Sequence, residues 1–228
     1  MGREQGNPCV VNHWIPDGAK DNPTDRWGPR RRLVQSLDEI MAADIDPAYC
    51  KDAVESKLFG LGVEDYTVGS HEFYMGYGLT RDVMVCLDMG HYHPTETIRD
   101  KLSALLTFQD ELLLHVSRPI RWDSDHVVLY TDEVKDVFQE LVRGNALDRA
   151  NVALDFFDAT INRVGAWVVG TRAAKKAVLY ALLEPVARLQ SMEQDGDLTG
   201  KLALLEELKS LSFGAVWDMY CHAKDVPV

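Results

Sequence analysis

An α/β fold of parallel strand–helix–strand units, followed by an all-helical tail, is what this sequence predicts. Three observations lead there. Short apolar, β-rich runs recur near Cys9–Ile15, Ala53–Leu58, Val83–Leu87, Leu112–Val116 and Asn151–Phe156. Stretches with apolar residues at helical spacing fall between most of them. After Asn162 the pattern turns wholly helical. Repeated strand, helix, strand order favours parallel βαβ units over a sandwich.

Each helical stretch has its own signal. Pro29–Ala43 carries Leu33, Leu37, Ile40 and Met41 at helical spacing, with Pro29 suited to a first turn. Thr95–Phe108 sets Ile98, Leu102, Leu105 and Leu106 on one face, with Pro94 marking its start. Asp132–Val142 does the same with Val134, Val137, Phe138 and Leu141, and Thr131 is placed as its N-cap. The tail runs from Val164 to about Ala223, divided at Pro185 and at Asp195-Gly196-Asp197. Its Leu202, Leu205 and Leu208 stripe predicts packing on the sheet unit or on another subunit. The expected division is therefore residues 1–163, carrying any site, and residues 164–228, a helical region. A doubly wound sheet accommodates five strands, but no Gly-rich phosphate loop follows any of them. A closed barrel needs eight.

Composition narrows the functional classes. A chain of 228 residues is long enough for a substantial core. A net charge of −12 argues against nonspecific nucleic-acid binding, which needs clustered Lys and Arg. The single basic run, Arg30 to Arg32, reads as a solvated helix start. Cys9, Cys50, Cys86 and Cys221 are widely spaced, which removes zinc-ribbon and dithiol motifs and fits free thiols in a reducing compartment. With neither a signal-peptide core nor an apolar run of membrane-spanning length, the expectation is a soluble cytoplasmic protein.

The chemistry lies at the strand ends. Glu55 follows Ala53-Val54, Asp88 follows Val85-Cys86-Leu87, His115 follows three leucines, and Asp155 follows Val152-Ala153-Leu154. A lone strand-end Asp is most often a helix cap or loop anchor. Four such residues on successive strands would crowd ionised carboxylates at one mouth, and a divalent cation relieves that repulsion. Asp88 and His91 share VCLDMGHYHPTE, where Gly90 suits a tight turn. Asp123 and Asp125 share RPIRWDSDHVVL; when extended, an Asp-x-Asp pair directs both carboxylates to one side. Mixed carboxylate and imidazole ligands suit Mn²⁺, Mg²⁺, Co²⁺ or Zn²⁺, and seven candidates are enough for two ions. His93 and His126 read as outlying or solvent-facing. Lys57, Arg118 and Arg121 are nearby cations, and Trp14 offers a flat apolar wall, or simply a core residue. Both phosphate-ester hydrolysis by a two-metal barrel and sugar isomerisation stay open on this reading.

Five stretches are more specific. VNHWIPDGAKDNPTDRWGPRRRL (Val11–Leu33), AVESKLFGLGVEDYTVGSHEFYMGYG (Ala53–Gly78), CLDMGHYHPTE (Cys86–Glu96), LLLHVSRPIRWDSDHVVL (Leu112–Leu129) and LDFFDATINR (Leu154–Arg163) closely resemble L-rhamnose isomerases. The similarity continues through ALLEPVARL and LALLEELKSL to VWDMYC. The resemblance implies a partial TIM-type (β/α)₈ barrel, strands four to eight, followed by the helical region. It implies one metal held by Glu55, Asp88, His115 and Asp155, which also anchors substrate through Glu55 and Asp155. A second, catalytic metal would be held by His91, Asp123 and Asp125, with Lys57 and Trp14 lining the sugar site. Mn²⁺ or a similar ion would serve interconversion of L-rhamnose and L-rhamnulose, with hydrogen moving between C2 and C1. A water near Asp123 and Asp125 is the candidate carrier of the hydroxyl proton. The resemblance further implies a homotetramer and a full-length enzyme longer than this chain. The resemblance therefore also implies an amino-terminally shortened piece, poorly soluble or poorly active by itself.

Overall fold

In the computed structural model, residues 1–57, 67–93, 95–120, 123–156 and 160–228 are described, without the side chains of residues 119, 120 and 123–125. The chain opens with a short helix, α1 (Gly2–Gln5), then strands β1 (Cys9–His13) and β2 (Gly18–Ala19) and helix α2 (Trp27–Met41). Next come β3 (Cys50–Glu55), β4 (Thr67–Val68), α3 (His71–Arg81), β5 (Met84–Asp88), α4 (Arg99–Leu106) and β6 (Leu112–Val116). A hairpin of β7 (Arg118–Ile120) and β8 (Asp123–His126) precedes α5 (Asp132–Arg143), a 3₁₀ turn and β9 (Ala150–Leu154). Four helices close the chain: α6 (Arg163–Leu182), α7 (Val186–Gln194), α8 (Leu198–Leu208) and α9 (Phe213–Ala223).

Five strands form one parallel sheet in the order β1-β3-β5-β6-β9. Spatial order follows chain order without reversal. Doubly wound sheets reverse at a switch point, whereas a singly wound barrel adds each strand beside the last. The sheet is thus a half-barrel, and its five strands are the five runs expected from the sequence.

Strand alternation sorts the core into two faces. Val54, Val85, Leu87, Leu112, Leu114 and Val116 pack under the helices, the first beneath α2 and α3 and the others beneath α4, α5 and α6. The opposite face gathers Ala53, Met84, Cys86 and Leu113, flanked by Val10 and Ala153. One step of two beyond these residues, at the carboxyl ends of their strands, stand Glu55, Asp88, His115 and Asp155. The alternation that buries the core therefore aims the acids inward.

Several local expectations shift. Helix α2 starts at Trp27, so Pro29 is its third residue rather than its first. Helix α4 starts at Arg99, where the Thr97 hydroxyl accepts from the Arg99 amide at 3.3 Å; Pro94 lies outside the described residues. Thr131 is the N-cap residue of α5, without a side-chain cap bond. Helix α3 has no counterpart among the expected elements. It buries Tyr74 and Tyr77, whose hydroxyls reach Ile15 and Asp38. Helix α8 lies against α7 and has no fully buried residue: of its leucine stripe, Leu202 is exposed while Leu205 and Leu208 are half-buried. No described helix is long and apolar enough to cross a membrane.

Candidate metal centre

Glu55 ends β3, Asp88 ends β5, His115 is the penultimate residue of β6, and Asp155 follows β9 directly. One ligand atom from each lies within 4.8 Å of the others. His115 Nδ1 is 3.1 Å from Asp155 Oδ2, 3.3 Å from Glu55 Oε1 and 3.5 Å from Asp88 Oδ2. Glu55 and Asp88 are buried, and the Asp155 side chain is 47% exposed, so the cluster opens toward Asp155.

Two of the carboxylates are split in use. Glu55 Oε2 accepts a hydrogen bond from Asn12 Nδ2. Asp88 Oδ1 accepts from the Gly90 amide at 2.6 Å and from Ser117 Oγ at 2.9 Å. Their other oxygens, Glu55 Oε1 and Asp88 Oδ2, are buried with no well-directed hydrogen bond, and so is His115 Nδ1. Buried polar atoms are rarely left so, and three converging on one point could hold a cation. Two carboxylate oxygens and an imidazole nitrogen, with Asp155 as a fourth donor, are a donor set that suits a divalent ion.

Proton affinities carry the same imprint. Burial alone would lower the pKa of His115, but Asp155, Asp88, Cys86 and Glu55 outweigh it and raise it. Burial alone would raise Glu55, yet contact with His115 and His91 brings it down to about 2. Asp155 is lowered chiefly by His115. Without an ion, protonated imidazole supplies the positive charge that the carboxylates require.

The other expected residues are placed as follows. His91 is buried beside this cluster, with Nδ1 3.0 Å from Glu55 Oε1 and 3.1 Å from the Ser56 carbonyl, and Nε2 3.9 Å from Asp88 Oδ2. Lys57 Nζ lies 5.7 Å from the centroid of the half-buried Trp14 ring, just beyond β1. Gly69 makes that approach feasible, since a Cβ there would sit 2.9 Å from Trp14 Nε1. His93 is exposed and bonds Thr95, His126 ends β8, and Arg118 donates to the Val127 carbonyl at 2.9 Å. Asp123 and Asp125 lie on the β8 backbone, but their side chains, like Arg121, fall outside the described residues. Asn12, Ser117 and Cys86 escaped the sequence reading. The signal was present: Asn12 shares the parity of Val10, Ser117 that of His115, and Cys86 that of Asp88.

Fold and site together define a half-barrel α/β scaffold presenting, at its strand ends, a cluster of carboxylates and imidazole that could hold a divalent metal. The family model of L-rhamnose isomerase (RhaA) matches residues 1–228. An L-rhamnose isomerase of Rhodopirellula baltica is 61% identical over 227 residues, covering 100% of this chain and 53% of its own length. Those of Klebsiella pneumoniae subsp. pneumoniae and Listeria monocytogenes serotype 4a are 58% and 57% identical, with 54% of each covered. The chain belongs to the L-rhamnose isomerase family, and it spans about half the length of the curated relatives it matches.

Proposed function

We propose that this chain supplies the metal-holding half of an aldose–ketose isomerase that interconverts L-rhamnose and L-rhamnulose. The observation that carries the reading is the convergence of Glu55, Asp88, His115 and Asp155 at successive strand ends, in a chain whose relatives are named L-rhamnose isomerase. The relatives compared are isomerases, which leaves the two-metal hydrolase reading without support.

In this proposal residues 1–163 are strands four to eight of a (β/α)₈ barrel with its active site, and residues 164–228 pack on that barrel or on a neighbouring subunit of a tetramer. The exposed Leu202 and Trp167 favour the second placement for part of the tail. Glu55, Asp88, His115 and Asp155 hold one ion; His91, Asp123 and Asp125 hold another. Mn²⁺ is the first candidate, with Zn²⁺, Co²⁺ and Mg²⁺ as alternatives, and a bound ion of this kind supplies Lewis acidity toward sugar oxygens. Trp14 gives the sugar a flat apolar wall, and the Lys57 ammonium beside it donates to a hydroxyl. Glu55 and Asp155 anchor substrate from the ion's side, while a water held near Asp123 and Asp125 carries the hydroxyl proton as hydrogen moves between C2 and C1. Four free cysteines accord with a cytoplasmic setting.

The deciding experiment follows conversion of L-rhamnose with added Mn²⁺, with metal content measured alongside. The chain is assayed alone and with the remaining part of a relative supplied in trans. Chelator-sensitive turnover in either arm supports the proposal; turnover of a phosphodiester but not of the deoxysugar overturns it. Asp125→Asn is expected to abolish turnover, and wild-type rate with full metal content would remove Asp125 from proton transfer.

A further inference from the structure

Cys86 takes no part in the chemistry above, yet it faces the same space. It is fully buried on the inward face of β5, paired in register with Glu55 of β3. Its sulfur, a Glu55 carboxylate oxygen and a His115 ring nitrogen all lie within 4.8 Å of one another. Glu55 Oε1 and His115 Nδ1 have no well-directed hydrogen bond. The same two residues complete the oxygen-rich set with Asp88 and Asp155. Asp88 lies two residues beyond Cys86 on the same strand, next to His115 in register. Glu55 and His115 thus stand between two ligand sets, carboxylates toward the strand ends and a thiol deeper in the sheet.

Ligand softness separates these sets. Carboxylate oxygens suit Mn²⁺ and Mg²⁺, whereas a thiolate favours soft or borderline cations. We propose that Glu55, Cys86 and His115 form a second site, for a thiophilic divalent cation such as Cd²⁺, mutually exclusive with the oxygen-rich site because both need Glu55 and His115. Binding breaks the S–H bond of Cys86 as the metal–sulfur bond forms, and the proton leaves to buffer; nothing is oxidised or reduced. A thiophilic cation there draws two ligands away from the oxygen-rich site, so it acts as an antagonist of the ion that site holds. The inference rests on the reading of Glu55 and His115 as metal ligands.

Cd²⁺ titration of the full chain tests it, read by thiolate-to-cadmium charge-transfer absorbance in the ultraviolet, with Mn²⁺ binding measured separately by electron paramagnetic resonance. The absorbance is expected in the native chain and in the triple variant Cys9→Ser, Cys50→Ser, Cys221→Ser, which keeps Cys86 alone. It is expected to vanish in Cys86→Ser, with Cd²⁺ affinity reduced by more than about tenfold and Mn²⁺ binding retained. Excess Mn²⁺ is expected to suppress it. The inference is overturned by an absorbance that survives Cys86→Ser, is missing from the triple variant, or ignores excess Mn²⁺. Mn²⁺ binding by the native chain without the cadmium signal removes this site alone; absence of both removes the metal centre itself.

Discussion

At the scale of single residues, the proposed metal centre depends on what holds its candidate ligands. Asn12 and Ser117 tie down one oxygen each of Glu55 and Asp88, which leaves the partner oxygen pointing inward. Loss of such outer contacts typically weakens metal binding about 10–100-fold. Asn12→Ala is therefore expected to weaken Mn²⁺ binding by about that factor while the fold persists, as isothermal titration and circular dichroism can show. The pH dependence follows from His115. Its pKa is raised in the ion-free fold, so its contribution to stability is complete below an unfolded value of about 6.5 and fades as pH climbs toward the folded value. Glu55 behaves oppositely: its contribution holds above its ordinary 4.5 and is lost only as pH falls toward about 2. A bound cation requires neutral imidazole and so displaces a proton. Ion-free protein is expected to lose melting temperature from about pH 6 to about pH 9, while the increment from Mn²⁺ grows over that range. An increment that does not change with pH would argue against His115 as a ligand.

At the scale of elements, helix α3 sits against β5 so closely that one position must lack a side chain. A Cβ at Gly78 would lie 2.5 Å from Val85 Cγ2 and 2.7 Å from the Val83 carbonyl. Two residues earlier, a Cβ at Gly76 would meet nothing within 4 Å. Gly78→Ala is expected to destabilise by about 1–3 kcal/mol through overpacking. Gly76→Ala is expected to stabilise by up to about 1 kcal/mol through helix propensity. Denaturant melts of the pair separate packing from propensity, and equal effects would place α3 elsewhere. This helix also shows where sequence patterning stops. The five sheet strands were legible because apolar runs such as Leu112–Val116 are short and bounded, and the clustering of Glu55, Asp88, His115 and Asp155 because each stands at the end of such a run. Helix α3 was not, since Gly76 and Gly78 interrupt its apolar face and its stability comes from Tyr74 and Tyr77 reaching across to Ile15 and Asp38. Asn12 was hidden similarly. A polar residue inside a strand reads as a weak strand until its partner Glu55 is known.

At the scale of the whole molecule, the half-barrel has two open ends. Among the described residues β1 pairs only with β3, and β9 only with β6. Each leaves backbone donors and acceptors unpaired along one side, and Val11 and Val152 on these strands are 43% and 44% exposed. Exposed, partly apolar edges recruit other strands. In a closed eight-stranded barrel both edges would be paired, and the relatives are long enough to contain the remaining strands. The chain taken by itself is therefore expected to self-associate, which light scattering coupled to gel filtration would detect. Adding the rest of a relative as a separate polypeptide is expected to reduce that association and raise turnover together, because in the proposed barrel the strands that cover the edges would also complete the mouth around Glu55, Asp88, His115 and Asp155. Relief of association without turnover would mean that edge pairing and the sugar pocket are separable. A dispersed monomer of this chain alone with full turnover would mean that five strands suffice to shape the pocket, and that the open edges carry no functional cost.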